Sequence, residues 1–188
     1  MQVESGDVVV VKGKTVVPEE KKVYLAFNKP RGIVCTAEKR EKNNVIDYLS
    51  YPVRIYPVGR LDKDSEGLLL MTNDGARNRH EKEYQVEVNK EITPEFLKKM
   101  ASGVPILDTV TRPCRIQKTG ERSFTIILTQ GLNRQIRRMC EALGYRVTKL
   151  KRVRIMNIHL KDLKTGEYRP LTEKELAELK KQIGEEKR

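Results

Sequence analysis

The alternation of hydrophobic and polar positions along this chain predicts a series of short strands. An uninterrupted apolar run at 68–71, closed by the turn signal at 73–75, predicts a buried strand. Residues 23–27 show the same pattern, and 84–88 alternates as a strand with one buried face does. Further short strands are predicted at 8–11, 33–36, 110–116 and 123–129.

Helical patterns are fewer and have recognisable ends. Thr93 and Pro94 supply an N-cap and a first helical position, which predicts a helix over 94–101 ended by Gly103. The apolar positions of 132–143 fall on one helical stripe. Two further helices are predicted, a short one at 45–49 and a charged terminal one at 172–183.

The segment 147–156 alternates apolar with basic residues. Val153 and Ile155 are expected to face the core, whereas Arg152 and Arg154 are expected to face a polyanion. The predicted strand therefore has one basic surface.

Composition narrows the class of partner. The chain has 188 residues and a formal net charge of +12, which indicates a polyanionic partner; nucleic acid is the commonest and a membrane surface is the competitor. No apolar run approaches the length of a transmembrane helix, and no signal-peptide pattern opens the chain. Cys35, Cys114 and Cys140 lack paired spacing, so we expect neither disulfides nor a zinc site, and a reduced, cytoplasmic protein.

A charged segment at 60–66 precedes the apolar run. A solvated loop is the usual interpretation of such charges. Asp62, Asp64 and Glu66 also have the spacing of calcium ligands in an EF-hand, but Asn73 stands where a bidentate Glu is needed. We therefore expect Asp64 and Glu66 to be loop charges and no metal to bind. A carboxylate beside an arginine, just before a buried strand, is also held rigidly enough for catalysis.

This segment resembles a known family signature. Gly59-Arg-Leu-Asp62, followed by Ser65-Glu-Gly-Leu-Leu-Leu-Met-Thr-Asn-Asp-Gly75, is similar to the signature of RNA pseudouridine synthases of the RsuA/RluB/RluE/RluF group. Residues 131–139 and 149–155 resemble later motifs of the same synthases, and 140–149 is most similar to the RluF-like branch. The resemblance covers about 22–176.

The resemblance implies a fold and an activity. It implies an α/β (α+β) catalytic domain over 21–188, with a mixed, mainly antiparallel sheet flanked by helices, and residues 1–20 resemble the last strands of an N-terminal S4-like RNA-binding domain. It implies a cofactor-independent isomerase, without a metal, that converts a specific uridine in ribosomal RNA, with large-subunit RNA favoured. Transfer RNA as the substrate, or a catalytically silent RNA-binding module, are the alternatives. No membrane and no obligate protein partner is expected.

The matched motifs also imply the site residues. Asp62 matches the catalytic aspartate, Tyr84 the active-site tyrosine, and Arg137 the basic residue that pairs with the aspartate. After Gly75 the family has a helix, whereas this sequence runs directly into the strand at 84–88, and whether that helix is deleted stays open. The residues expected to contact RNA are Lys29, Arg31, Arg60, Arg134, Arg138, Lys149, Arg152 and Arg154.

The chemistry of the implied reaction suits these residue types. A carboxylate can either attack C1′ of the ribose or accept the 2′ proton, and the sequence does not choose between the two. A buried Asp62 needs a fixed cation to offset its desolvation, and Arg137 is expected to supply it. Tyr84 can stack on the uracil near C5, once the nucleotide has left its RNA stack.

Overall fold

The computed structural model describes residues 9–11, 14–16, 21–38, 40–75 and 81–186. Its strands are β1 (Val9–Val11), β2 (Lys14–Val16), β3 (Tyr24–Lys29), β4 (Tyr56–Val58), β5 (Glu66–Thr72), β6 (Lys82–Val88), β7 (Pro105–Ile106), β8 (Thr109–Val110), β9 (Arg115–Gly120), β10 (Ser123–Leu128), β11 (Val147–Ile155), β12 (Ile158–His159) and β13 (Tyr168–Pro170). Its helices are α1 (Val45–Leu49), α2 (Pro94–Ser102), α3 (Gln135–Ala142) and α4 (Glu173–Glu186).

A nine-stranded sheet forms the centre of the described chain, with seven strands in the order β13-β3-β5-β11-β6-β10-β9. Short β4 and β12 pair with β5 and β11 respectively. The β5–β11 pair is parallel, and the other pairs of this sheet are antiparallel. The mixed, mainly antiparallel sheet that the resemblance implied is confirmed.

Helices cover both faces of the half of the sheet formed by β3 and β5. Helix α1 packs on one face, where Leu69 and Met71 of β5 point. Helix α4 packs on the opposite face through Leu179, which joins Leu68 and Leu70. Because both faces of β5 are covered, the side chains that point to either face are buried. This explains why its apolar run has no polar interruption.

The other half of the sheet carries its own core. Helices α2 and α3 pack there against β6 and β10. Tyr84 contacts the core of each half, and the seam between the halves runs through it. No described helix is long and apolar enough to cross a membrane.

Most predicted elements are present near their expected bounds. The buried strand at 68–71 is β5, and the helix at 94–101 is α2, whose N-cap Thr93 accepts a hydrogen bond from the Phe96 amide at 3.1 Å. The predicted strand at 33–36 is wrong, because only an isolated bridge forms there, between Val34 and Asn44.

One more predicted strand is wrong, and one further question concerns residues outside the described chain. The strand predicted at 110–116 is wrong, because Pro113 lacks an amide proton and separates the short β8 from β9. The question of a helix after Gly75 concerns 76–80, which lies outside the described residues.

The predicted basic surface on β11 is also wrong. Arg152 lies two positions after Leu150, on the same side of the strand, and is 1% exposed, and a bulge between Arg152 and Arg154 then interrupts the alternation. Arg154 is half-buried and bonds Glu81 at 2.7 Å and Glu83 at 3.2 Å. Neither arginine presents a free guanidinium to solvent.

Gly67 allows the parallel pair to form. Its φ is +111°, and a Cβ placed on it would lie 2.2 Å from the Arg152 carbonyl oxygen. Only glycine meets both conditions. The close approach fixes the backbone of Arg152 against the start of β5.

Candidate active site

The loop between β4 and β5 carries Asp62 and is fastened at several points. Leu61 is buried, and its amide donates to the Cys35 sulfur at 3.3 Å. The Gly32 amide donates to the Lys63 carbonyl at 2.7 Å, and the Ser65 amide closes a turn on the Asp62 carbonyl at 3.0 Å. The Asp62 side chain remains one-third exposed, at the wall of a cleft. A carboxylate is thus held rigidly while it stays accessible.

Two arginines from the start of α3 reach this loop. Arg134 donates to both carboxylate oxygens of Asp64, at 3.0 and 3.1 Å, and its Nη1 lies 3.6 Å from Oδ2 of Asp62. Its pKa is raised, chiefly by the hydrogen bond to Asp64. Arg134 has a left-handed backbone with φ 48°, which turns its side chain away from the helix axis and toward the loop.

Arg137 does not make the expected ion pair with Asp62. Within the described chain its Nη1 lies 3.5 Å from Asp64, and its Nη2 donates at 3.1 Å both to the Asp64 carbonyl and to the Ser65 hydroxyl. Burial is the main reason that its pKa is lowered. The cation in contact with Asp62 is instead Arg134, and Arg137 fastens the loop behind it.

Tyr84 and Arg152 form the base of the cleft. They are direct neighbours across the β6–β11 pair. Arg152 donates to the Leu68 carbonyl at 2.8 Å and to the Arg60 carbonyl at 3.3 Å. It therefore joins the end of β4 to β5, on either side of Asp62.

The cleft has a volume of about 400 Å³ and brings Asp62 and Tyr84 together. Apolar side chains from three other elements line it, namely Leu128, Ile136 and Leu150. Polar and charged side chains make up most of the remaining lining, and apolar contacts beside convergent polar groups can hold and orient a small planar ligand.

Lys82 also lines the cleft, and the sequence analysis did not select it. It is 8% exposed, and burial followed by the charge of Arg152 lowers its pKa to about 8. The strand pattern of the sequence could have indicated Lys82, because it lies two positions before Tyr84 and so shares its side of β6.

The residues predicted to contact RNA divide by exposure. Arg31, Arg60 and Lys149 are exposed, and Arg60 lies at the cleft. Arg138 is half-buried and bonds the exposed Asn133 at 2.8 and 3.0 Å.

Lys29 does not belong to an RNA-binding surface as predicted. It is fully buried, its Nζ donates to the carbonyls of Pro30 and Ile33, and burial lowers its pKa. Arg152 is also buried, and Arg154 is half-buried and paired with glutamates. The basic surface is therefore smaller than the sequence indicated. The buried lysine instead closes the turn that holds Gly32 against the loop that carries Asp62.

The calcium interpretation finds no support in the loop geometry. The Asp64 carboxylate is occupied by arginines, and Glu66 lies 3.8 Å from Lys149. Across the described ranges, no group of three or more His, Cys, Asp or Glu side chains could hold a metal. Cys35, Cys114 and Cys140 are free thiols, and burial raises the pKa of Cys140 to about 12.

Comparison with known proteins identifies the class that this fold and cleft define. A family model described as RNA pseudouridylate synthase matches residues 23–142, and the chain belongs to the RNA pseudouridine synthase family. Within that family it is similar to the dual-specificity RNA pseudouridine synthase RluF of Salmonella typhi, with 52% identity over 97% of this chain. The predicted resemblance to the RluF-like branch is confirmed. The chain spans 66% of the length of that relative.

More distant relatives cover most of the chain as well. The ribosomal large subunit pseudouridine synthase B of Bacillus subtilis is 36% identical over 96% of this chain and 80% of its own length. A crystal structure of a pseudouridylate synthase superposes with a TM-score of 0.79 at 28% identity, covering 95% of this chain and 83% of that one. The fold class predicted from the sequence is therefore confirmed at the level of the whole domain.

Proposed function

We propose that this chain isomerises a specific uridine in ribosomal RNA, favouring RNA of the large subunit, to pseudouridine. The observation that carries the proposal is the cleft in which Asp62, one-third exposed and in contact with Arg134, lies together with Tyr84. The membership of the family supports the same activity. The exposed Arg31, Arg60 and Lys149 give the polyanion a place to bind.

The reaction begins when the target nucleotide leaves its stack and its base enters the cleft. Asp62 then either attacks C1′ or removes the 2′ proton, and the N1–C1′ bond breaks with its electron pair moving to N1. Arg134, whose Nη1 lies 3.6 Å from Oδ2 of Asp62, orients the carboxylate for either step. No oxidant, reductant or energy source is consumed, because the product is an isomer of the substrate.

The second half of the reaction rebuilds the nucleotide. The detached base turns and C5 bonds to C1′. On the first route the bond between Asp62 and C1′ breaks as this bond forms; on the second, C2′ takes back from Asp62 the proton that it lost, which removes the C1′–C2′ double bond. The proton on C5 is then lost. N1 gains a proton in exchange. Tyr84 packs at the base of the cleft, where it can stack on the ring and accept or relay the C5 proton.

Transfer RNA is the second candidate substrate. The relatives at about 50% identity are described as dual-specificity synthases, which favours a second RNA class for this chain as well. We further infer that residues 1–20, whose described parts form the β1–β2 pair, are the last part of an S4-like domain, and that the protein works in the cytoplasm without a cofactor or an obligate protein partner.

Pseudouridine formation tests the proposal directly. The full chain is incubated with unmodified large-subunit ribosomal RNA, small-subunit ribosomal RNA and a transfer RNA transcript, and nucleosides are quantified after digestion. Pseudouridine at one position of the large-subunit RNA is expected, and a position in transfer RNA would establish the second specificity. Binding without any pseudouridine would contradict the proposal and identify a catalytically silent RNA-binding module.

A further inference from the structure

Two cations in the wall of the cleft have no assigned role. Lys82 and Arg152 are 8% and 1% exposed, and both line the same cleft as Asp62. The ammonium of Lys82 makes no hydrogen bond or ion pair with any residue that the structure describes. The Nη2 of Arg152 is buried and lacks a hydrogen-bond partner in the same part of the chain.

This arrangement is unfavourable in the free protein. A buried charge is normally paired or hydrogen-bonded, because its desolvation is otherwise uncompensated. Here two positive side chains lie near each other, and burial together with Arg152 lowers the pKa of Lys82 to about 8. Buried cations of this kind in a cleft are candidates for binding a group that arrives from outside.

Asp62 is not that group. Its carboxylate contacts Arg134, which comes from the opposite wall, and no ion pair joins it to Lys82 or Arg152 in the described structure. A backbone phosphate fits poorly as well, because the exposed Arg60 and Lys63 also line the cleft whereas Lys82 and Arg152 are nearly covered. The base of the flipped nucleotide is the part that enters deepest.

We propose that Lys82 and Arg152 form a subsite for the uracil ring that stabilises its negative charge while it is detached from the ribose. This inference rests on the proposed function. When the N1–C1′ bond breaks, its electron pair remains on N1 and spreads over the O2 and O4 carbonyls. The ammonium of Lys82 and the free Nη2 of Arg152 donate hydrogen bonds to these oxygens. The charge disappears when C5 bonds to C1′, the C5 proton leaves and N1 is protonated.

The cations therefore act on a charge that develops during the reaction. Donors held in place in a water-poor site stabilise such a charge strongly and bind the neutral substrate only weakly. Because both cations are fixed by the sheet rather than by a loop, they require little rearrangement when the bond breaks. The unpaired cations destabilise the free protein, and their interaction with the negatively charged base offsets this destabilisation during the reaction.

Lys82→Met separates this role from a structural one. The methionine retains the aliphatic part of the side chain and removes the ammonium. We expect the single-turnover rate on the RNA that the wild type modifies to fall by about 100-fold or more, with the Kd for that RNA changing by less than about threefold. The melting temperature should stay equal or rise, because an unpaired buried charge is removed. Lys98→Met, an exposed lysine of α2, is the control for the loss of one positive charge and should retain the wild-type rate.

Replacing the target uridine with 5-fluorouridine gives a second readout. Fluorine withdraws electrons and makes the detached base less basic, so the loss of Lys82 should slow the breaking of the N1–C1′ bond less than it does with uridine. Because C5 then carries fluorine and no proton, the rearranged base keeps its fluorine and cannot regain the C5–C6 double bond, so the C–C-linked fluorinated nucleoside, or the product of water addition at its C6, is measured after digestion.

Each outcome decides the inference. A Lys82→Met variant with a normal rate, with equal losses in rate and RNA affinity, with a lowered melting temperature, or with the same defect on both bases would overturn the subsite. A wild-type chain that forms no pseudouridine would instead overturn the proposed function.

Discussion

Asp64 and Arg134 form a two-pronged ion pair, with Nη1–Oδ1 at 3.0 Å and Nη2–Oδ2 at 3.1 Å. The hydrogen bond from Arg134 is the main reason that the pKa of the Asp64 carboxyl is held below its usual value. Because Arg134 also contacts Asp62, the pair fixes both the loop and the cation beside the proposed catalytic carboxylate. Asp64 is therefore more than the loop charge that the sequence suggested.

The first prediction concerns Asp64. Asp64→Asn removes the charge that holds Arg134 and Arg137, so Asp62 loses its fixed geometry. We expect pseudouridine formation to fall by about 10- to 100-fold, and the free energy of unfolding to fall by only about 1 kcal/mol because the pair is partly exposed. Rate measurements and urea denaturation check this, with the exposed Asp162→Asn as the control. Full activity of Asp64→Asn would show that the loop does not depend on the pair.

Asp62→Asn should abolish pseudouridine formation by orders of magnitude, since it removes the charge, the nucleophile and the base while keeping the size of the side chain. RNA affinity should barely change, because the exposed cations lie elsewhere. Parallel assays of product formation and RNA binding check these two expectations. Conversion at a near-normal rate would remove Asp62 from the chemistry.

RNA binding should weaken steeply with salt. Phosphate contacts release counterions, so each exposed cation that touches RNA contributes to the slope of log K against log salt. Arg31→Gln should reduce that slope by about 1. Arg154→Gln should leave it unchanged, because Glu81 and Glu83 already occupy that guanidinium. Equal slopes for Arg31→Gln and the wild type would place Arg31 outside the interface.

Gly67→Ala should destabilise the whole domain. A methyl group would collide with the Arg152 backbone, and the residue has a positive φ. We expect the free energy of unfolding to fall by about 2–4 kcal/mol. Gly75→Ala, where an added Cβ meets nothing within 4 Å, should change it by less than about 0.5 kcal/mol. Similar denaturation midpoints for the two variants would contradict the close approach of β5 and β11.

The start of α4 should show a pH-dependent stability. Hydrogen bonds from Arg169, followed by those at Thr172, lower the pKa of Glu175 from 4.5 to about 2. A carboxyl whose folded pKa is depressed stabilises the protein above its unfolded pKa, and this stability is lost as the pH falls through the folded value.

Glu175→Gln should therefore lower the free energy of unfolding by about 1–2 kcal/mol at neutral pH. Relative to the wild type, this difference should shrink as the pH falls from about 4.5 to 2. Melting curves across that range check the sign. A difference that persists at pH 2 would indicate lost packing rather than lost charge.

The sequence predicted elements whose signals are local. A run of apolar residues defined β5, and Thr93 with Pro94 defined the start of α2, because each signal acts within one turn or one strand. The partners of long side chains were harder to predict. The left-handed backbone at Arg134 and the bulge between Arg152 and Arg154 change which side chains can meet, and neither appears in an alternation of residue types. Asp62 therefore meets Arg134 rather than Arg137.

Strand β11 lies between β5 and β6, although β5 and β6 follow each other in the chain. The hydrogen bond from Arg152 to Leu68 spans 84 residues of sequence. During synthesis from the amino terminus, β5 and β6 must wait for a strand made much later, with their facing edges unpaired. Asp62 and Tyr84 meet only after that late strand has inserted. An incomplete chain therefore cannot assemble the cleft, and the activity proposed for it requires that synthesis has passed β11.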